Sequence, residues 1–335
     1  MSIVALLPDP ATPLEFETAE AAFADILDGR VPEEAIAAFL TGLTMRDETA
    51  TEIAAAARAL RERMVEVTAP AGAIDVCGTG GDGAHSLNIS TAVSIVVAAA
   101  GVPVAKHGNR AASSKAGAAD TLEALGLNLD RAAATAQESL EELGLCFLFA
   151  QTHHPALGRL AKVRKAIGRR TIFNIVGPLC NPARVTRQLM GVARTDYLGT
   201  VARALDLLGT ESAMIVAGDE GLDELSIAGG SRIIRLGDCG GPDLWREEHV
   251  VPGDVGVEPH PLTAIRGGDA AYNAAALARL LQGETGPYRD AVLLNASAAL
   301  IVAGRTTDWQ EGADIAGAAI DDGSAEALLQ RWIAF

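Results

Sequence analysis

The spacing of apolar and polar positions in the first 66 residues differs from that in the rest of the chain. Between residues 12 and 66 the apolar side chains recur every three or four positions. That spacing places them on one face of a helix, and the alanine-rich stretch from Ile53 to Met64 favours a further helix. The apolar positions are Phe23, Ile26, Leu27, Ile36, Phe39, Leu40 and Leu43. We therefore expect a small helical layer without strands.

From residue 73 onward, short apolar runs alternate with helical stretches, which is typical of a parallel sheet with crossover helices. The runs are Ile74–Val76, Val102–Ala105, Cys146–Phe149, Ala213–Val216 and Arg232–Leu236. Residues 155–185 return to helix and loop, and residues 239–266 predict loops with short strands. The predicted fold class is α/β, with a small all-helical N-terminal domain in residues 1–70 and a large α/β domain with a mostly parallel central sheet in residues 71–335.

Composition narrows the class of protein. The chain has 335 residues, 49% of them apolar, so it can bury a large core. Its four cysteines lack metal-binding spacing, and no secretion signal or membrane-length apolar run is visible, so we expect a reduced cytoplasmic protein without a membrane partner. A net charge of −16 argues against a general nucleic-acid surface.

A glycine-rich loop is the first candidate for chemistry. Gly78, Gly80, Gly81 and Gly83 fall within six residues, between an apolar run and the helix start at Asn88. Glycines let a backbone approach a ligand closely, and a helix N-terminus attracts anions. The loop therefore predicts a phosphate cradle, although a tight turn without a ligand is equally common for such a loop alone.

A basic cluster follows in residues 106–115. It contains Lys106, Arg110 and Lys115 and has no carboxylate before Asp120, against the acidic bias of the chain. The serines, Asn and Gly among these cations favour phosphate binding over a solvated loop.

An acidic turn is the third candidate. Asp219, Glu220, Asp223 and Glu224 fall within six positions after an apolar run. Carboxylates so close together need water, a cation or a raised pKa, and they suit Mg²⁺ that bridges to phosphates. Read alone, the segment is more often an exposed acidic turn.

Together these segments resemble the anthranilate phosphoribosyltransferase family. The resemblance covers nearly the whole chain and also includes the Arg170-Thr171-Ile172-Phe173-Asn174 block with Gly177-Pro178-Leu179, the Gly267-Gly268-Asp269 stretch and Leu294-Asn295-Ala296. It implies transfer of a 5-phosphoribosyl group from phosphoribosyl diphosphate to the amine of anthranilate, the second step of tryptophan biosynthesis from chorismate. It also implies a homodimer, and a return of residues near 155–185 to the helical domain.

The resemblance assigns residues to each ligand. Anthranilate would contact Gly78, Asn109 and Arg164, and the metal ligands would be Ser90, Asp223 and Glu224, with two Mg²⁺ ions per chain. The residues assigned to phosphoribosyl diphosphate are Gly78, Gly81, Asp82, Ser86, Asn88, Ile89, Ser90, Thr91, Lys106, His107, Gly108, Asn109, Arg110, Ala111, Ala112, Ser113, Ser114 and Ala118.

The acceptor side has its own physical argument. A planar guanidinium such as that of Arg164 can pair with a carboxylate in a bidentate way. The alternative is that Arg164 is an exposed helix arginine that binds no ligand. His107 and His154 are candidates for lining the acceptor channel. Ala111, Ala118 and Gln151 depart from the family's usual residues.

Transfer to anthranilate needs little help from a general base, because an arylamine is already a nucleophile at neutral pH. The sequence accordingly assigns no catalytic side chain and predicts catalysis by positioning and charge neutralisation. Two alternatives stay open. One is a pyrimidine nucleoside phosphorylase, and the other is a non-catalytic nucleic-acid-binding relative of the fold.

Overall fold

The N-terminal part of the protein is a layer of three helices. The computed structural model describes residues 6–111, 114–243 and 245–335. Helices α1 (Phe16–Leu27), α2 (Glu33–Met45) and α3 (Ala50–Arg61) lie where the apolar spacing predicts them. Helix α3 begins with a capping box, in which Thr49 and Glu52 satisfy each other's backbone N–H groups.

Glu52 also ties this layer together. Its carboxylate is fully buried, accepts the Leu14 N–H at 2.9 Å and forms an ion pair with Arg46. Burial alone would raise its pKa, but the hydrogen bonds from Arg46, Thr49 and Leu14 outweigh burial and lower the pKa below the ordinary 4.5.

Within the described residues, seven strands form one sheet in the order β3-β2-β1-β4-β5-β6-β7. The strands are β1 (Ile74–Gly78), β2 (Val104–Gly108), β3 (Leu145–Phe149), β4 (Arg187–Gly191), β5 (Ser212–Gly218), β6 (Ser231–Gly237) and β7 (Trp245–Val250). The first five in this order are parallel, whereas β6 pairs antiparallel with β5 and β7 pairs antiparallel with β6. The predicted mostly parallel sheet is confirmed.

The central strand β4 was missed by sequence reasoning. It pairs with β1 and β5 over its full length, yet only Leu189 and Met190 among its five residues are large and apolar. The polar residues Arg187 and Gln188 interrupt the apolar run that would predict a strand. Both are hydrogen-bonded in the fold: Gln188 donates to the Pro178 carbonyl at 2.7 Å, and Arg187 donates to Asp238 at 2.6 Å.

Helices cover both faces of the sheet. Further helices are α4 (Ile89–Ala99), α5 (Ala118–Ala124), α6 (Leu129–Ala134), α7 (Ala136–Leu143), α8 (Ala150–His153), α9 (Pro155–Gly158), α10 (Ala161–Ile167), α11 (Phe173–Val176), α12 (Leu198–Leu207), α13 (Ala270–Leu281), α14 (Pro287–Val302), α15 (Trp309–Asp321) and α16 (Ser324–Ala334). Alternating strand residues face opposite sides, so Met214 and Val216 pack with α4 and α14, while Ala213 and Ile215 share a core with α1–α3 and α12.

Residues 160–179 contribute side chains to the core of the N-terminal helices. Phe173 of α11 packs edge-on against Phe23 of α1, with ring centroids 6.0 Å apart, and Val163 of α10 lies in the same core. The division of the chain at residue 70 stays a prediction. None of the helices in the described ranges has both the length and the apolar character that crossing a bilayer requires.

Candidate functional site

The candidate site lies where parallel strands end. Strands β1, β2, β4 and β5 end at Gly78, Gly108, Gly191 and Gly218, and the carboxyl ends of parallel strands meet at one edge of a sheet. The glycine-rich loop, the basic segment and the acidic turn follow β1, β2 and β5. The fold therefore brings the three predicted segments to the same edge.

The glycine-rich loop is held open by backbone conformation and by an arginine. Gly80, Gly81 and Gly83 have φ values of 68°, 74° and 77°, which side-chain-bearing residues rarely adopt. The Arg170 guanidinium donates to the Gly80 carbonyl and lies against Gly81, where a Cβ atom would meet it. Asp82 stabilises the next turn by accepting the Ala84 N–H at 3.1 Å.

The acidic turn divides into two pairs with different partners. Asp219 pairs with His249 at 2.8 Å, and Glu220 accepts the Ser226 hydroxyl. Asp223 instead accepts the Gly80 N–H at 2.6 Å, and Glu224 accepts the Ser90 N–H at 3.1 Å. Only the second pair therefore contacts the glycine-rich loop and the start of α4.

Burial dominates the electrostatics of Asp223 and Glu224. Burial, together with the charge of Asp82, raises the pKa of Asp223 to about 7. Burial and the Asp223 charge raise the pKa of Glu224 to about 8. Two carboxylates in such surroundings favour a nearby cation. The described part of the chain contains no group of three His, Cys, Asp or Glu side chains placed to hold a metal, so Ser90 or a ligand would have to complete a site around this pair.

Two glycines allow the acidic turn to approach the sheet. Gly78 and Gly191 are paired across β1 and β4. A Cβ atom on Gly78 would overlap the Asp223 carboxylate, and one on Gly191 would overlap the Asp223 backbone carbonyl. Glycine is required at both positions for Asp223 to lie where it does.

Lys106 lies beneath the loop. Its side chain is 2% exposed, and its ammonium group donates to the Val76 carbonyl at 2.8 Å and to the Ser90 hydroxyl at 3.3 Å. Burial lowers the pKa of Lys106, while the charges of Asp75, Cys77 and Glu224 oppose that shift. Lys106 therefore connects Ser90 to the interior of β1.

Carboxylates of α5 hold Arg110 of the basic segment, whereas Lys115 is exposed. Arg110 pairs with Asp120 at 2.8 Å and with Glu123 at 2.5 Å, and the Ala111 N–H donates to Asp120 at 3.0 Å. Asn109 is exposed, and its side chain accepts the Arg110 N–H. Ser114 is partly buried, and Ala118 begins α5 beside Gly108. Ala112 and Ser113 lie outside the described residues.

The start of α4 carries the other predicted phosphate residues. Ser86 pairs with Arg266 in an isolated antiparallel bridge, and Ile89 is buried. Asn88 occupies the N-cap position, but its side chain makes no capping hydrogen bond. Thr91 is buried, and its hydroxyl has no partner among the described residues. Asn88 therefore does not cap α4, and the Glu224 carboxylate instead accepts the first-turn N–H of Ser90.

The acceptor-side candidates His107, His154 and Arg164 come from β2, the end of α8 and α10. His107 and His154 are buried, with their Nε2 atoms 3.2 Å apart. Burial lowers the pKa of His154 to about 4 and lowers the pKa of His107 well below its usual value, so both rings are neutral and one donates to the other. Arg164 on α10 is partly buried and forms no ion pair with any residue in the described ranges. No hydrogen bond in the described part of the chain joins the Arg164 side chain to Gly78 or Asn109.

Sequence reasoning missed several residues that support this edge. Asp75 is fully buried and accepts the His107 N–H at 3.0 Å. Asn295 binds both the N–H and the carbonyl of Leu225, at 2.9 and 3.0 Å, directly after Glu224. Arg170, Gly191 and Asn273 also belong to this group. Arg170 and Asn295 lie in blocks that carry the resemblance, whereas Gly191 and Asn273 lie outside those blocks and had no signal in the sequence.

A small cavity of about 40 Å³ lies nearby, between α2 and the segments around Thr171 and Tyr197. It touches the glycine-rich loop only through Thr79, and Asp223 and Lys106 do not line it. Its volume suits a few water molecules, and its lining includes Arg170, which also holds the Gly80 carbonyl.

Comparison with known proteins gives a consistent result. Residues 9–64 match the model of the glycosyl transferase family helical bundle domain, and residues 70–326 match that of the glycosyl transferase family a/b domain. The chain is 64% identical over 329 residues to an anthranilate phosphoribosyltransferase of Novosphingobium aromaticivorans, covering 98% of each chain. It is 60% identical to one from Sphingopyxis alaskensis, covering 100% of each.

Solved structures agree with these relatives. A crystal structure of anthranilate phosphoribosyltransferase from Thermus thermophilus is similar with a TM-score of 0.91 and 40% identity, covering 98% of this chain and 99% of that one. The Saccharomyces cerevisiae enzyme in complex with phosphoribosyl diphosphate and Mg is similar with a TM-score of 0.86 and 28% identity, covering 96% and 93%.

Proposed function

This chain belongs to the anthranilate phosphoribosyltransferase family, and from that premise we propose that the edge of its sheet where β1, β2 and β5 end binds phosphoribosyl diphosphate beside anthranilate. The enzyme transfers the 5-phosphoribosyl group to the anthranilate amine and releases diphosphate, the second step of tryptophan biosynthesis from chorismate. Neither phosphorolysis nor a nucleic-acid-binding role is favoured by these relatives.

The donor side of the site uses the two loops after β1 and β2. Gly78–Gly83 supply a backbone that a diphosphate can approach closely, and the start of α4, where Glu224 rather than Asn88 accepts a first-turn N–H, follows this loop. Lys106 adds a cation that is held by two hydrogen bonds and cannot turn away to solvent. Arg110 is the weakest of the proposed phosphate ligands because two carboxylates already hold it.

The family's use of Mg²⁺ fits the residues present, because Asp223 and Glu224 offer hard oxygen ligands beside the loop that would hold the diphosphate. We assign these two carboxylates and the Ser90 hydroxyl as ligands, shared between two ions. When bound, Mg²⁺ neutralises charge on the departing diphosphate. The chain itself holds Asp223 through Gly80 and Glu224 through Ser90, so both carboxylates are positioned before substrate arrives.

The acceptor side is assigned to Arg164, with Gly78 and Asn109. Arg164 has no ion-pair partner in the described ranges, so its guanidinium is available to the anthranilate carboxylate. The neutral His107–His154 pair gives this side a wall without charge. The arylamine needs no base to attack C1 of the ribose, so the contribution of these residues is to orient it.

The observation that carries this assignment is that Asp223 and Glu224 hydrogen-bond to the glycine-rich loop and the α4 start, while Asp219 and Glu220 do not. The test follows anthranilate fluorescence with phosphoribosyl diphosphate and Mg²⁺. We expect Asp223→Asn with Glu224→Gln to lower turnover by orders of magnitude without unfolding the protein. The matched control, Asp219→Asn with Glu220→Gln, retains turnover. Equal activity of the two double variants would contradict the assignment.

Three broader proposals accompany it. The family models support a helical domain in residues 1–70, to which residues 155–185 return, and a large domain in residues 71–335. A homodimer through the helical layer is proposed from the family resemblance alone. The four cysteines, all free, support a cytoplasmic location.

A further inference from the structure

A hydrogen-bond relay reaches Asn88 from the far end of the chain. The Asn88 side-chain oxygen accepts from the Thr121 hydroxyl at 2.6 Å and from the Asn273 amide at 2.9 Å. Thr121 is fully buried and Asn273 is 2% exposed. These two residues lie on α5 and α13, so neither belongs to the loop that carries Asn88.

The donors in this relay fix which way each amide points. The Gly268 backbone N–H donates to the Asn273 side-chain oxygen at 2.8 Å, and a backbone N–H can only donate. The Asn273 amide nitrogen must therefore face Asn88 and donate to its oxygen. The Asn88 NH₂ group is left on the opposite side, where its only described contact is the Ala116 carbonyl at 3.4 Å.

The surrounding backbone holds both ends of the relay. Residues 85–87 bond to residues 265–267, through Gly267 N–H to the His85 carbonyl and Leu87 N–H to the Ile265 carbonyl, both at 2.8 Å. The Tyr288 hydroxyl donates to the Asn88 carbonyl at 3.1 Å. Asn88 therefore has a fixed backbone, and its side-chain orientation is set by its amide partners.

We propose that Asn273 is a positioning residue that turns the Asn88 amide so that its NH₂ group, rather than its oxygen, faces the phosphates of phosphoribosyl diphosphate. This inference rests on the proposed assignment of Asn88 to the donor site. It explains why Asn88, although at the N-cap position, does not cap α4: its oxygen is already held by Thr121 and Asn273. An inverted amide would present an oxygen to phosphate and repel it.

The test compares Asn273→Asp with wild type. The aspartate accepts the Gly268 N–H as before but no longer donates to Asn88. We expect the KM for phosphoribosyl diphosphate to rise at least tenfold and the KM for anthranilate to stay within threefold, while the buried carboxylate lowers the urea unfolding midpoint. Asn128→Asp, an exposed cap of α6 that aspartate serves equally well, controls for the added charge and should leave both constants unchanged.

Two further variants test the relay separately from the assignment of Asn88 to the phosphoribosyl diphosphate site. Asn88→Ala should raise the same KM, and adding Asn273→Asp to it should have little further effect, because Asn273 acts through Asn88. An unchanged KM in Asn88→Ala would overturn the assignment of Asn88 itself. A raised KM there with wild-type values in Asn273→Asp, or additive effects in the double variant, would overturn the relay. If Asn273→Asp does not fold, Thr121→Val takes its place, with an expected two- to fivefold rise; no rise would overturn the relay.

Discussion

Replacing Gly191 by alanine tests whether the acidic turn is seated on the central strand. Gly191 ends β4, between Gly78 of β1 and Val216 of β5. A Cβ atom there would overlap the backbone carbonyl of Asp223. A side chain in that place would rotate away, but a backbone carbonyl cannot, so either the strand or the turn that carries Asp223 has to move.

The size of the effect follows from that overlap. One extra methyl group in a well-packed region costs about 1–3 kcal/mol of unfolding free energy. A shift of about 1 Å in a group that positions substrate costs roughly 10²-fold in rate. We therefore expect Gly191→Ala to lower kcat/KM for phosphoribosyl diphosphate by about 10²-fold, with a loss of about 1–3 kcal/mol in stability.

The assay combines steady-state anthranilate fluorescence with urea unfolding. Gly199→Ala is the matched control, because nothing lies within 4 Å of a Cβ at that position in α12. Alanine there should stabilise the helix by about 0.5–1 kcal/mol and leave the kinetic constants unchanged. If Gly191→Ala behaves like Gly199→Ala in both measurements, the reasoning that seats Asp223 on β4 is refuted.

Three further predictions concern the acceptor, acid stability and assembly. Arg164→Ala should raise the KM for anthranilate selectively, with a loss of about 2–4 kcal/mol in kcat/KM, whereas Lys106→Ala should raise the KM for phosphoribosyl diphosphate. Glu52 has a lowered pKa when folded, so its stabilisation is present above pH 4.5 and is lost as the pH falls below it. Glu52→Gln should therefore remove that acid dependence and cost about 2–4 kcal/mol at pH 7, by leaving Arg46 without its partner. Light scattering should give twice the chain mass of 34.5 kDa.

Each of these has a contrary outcome. Equal effects of the Arg164 and Lys106 variants on both substrates would mean that the acceptor pocket is wrongly placed. An unfolding free energy of Glu52→Gln that falls with acid as steeply as that of wild type would remove Glu52 as the source of the dependence. A monomer mass at micromolar concentration would contradict the dimer through α1 and α2.

Local pattern was sufficient for most secondary structure and for the segments of the site. The helical spacing of residues 12–66 predicted α1–α3, and the apolar runs predicted β1, β2, β3, β5 and β6, because burial of one helix face or of a whole strand leaves a periodic mark in the sequence. The glycine-rich loop was equally visible, since positive φ angles strongly favour glycine.

Strand β4 was not visible, because its polar residues are satisfied by partners that only the folded chain supplies. The same holds for the acidic turn. Its sequence shows four carboxylates that look equivalent. In the fold, Asp219 pairs with His249 and Glu220 with Ser226, whereas Asp223 and Glu224 accept backbone N–H groups.

The sequence by itself determined the helical layer, the alternating strands and helices, and the three candidate segments of the site, because these depend on residues near one another in the chain. The tertiary structure decided which groups in those segments face the site. Gly191 lies against Asp223, and Asn273 orients Asn88 from 185 positions away. Such contacts leave no periodic mark, since each depends on a single hydrogen bond or a single close approach that exists only after distant strands and helices have packed together.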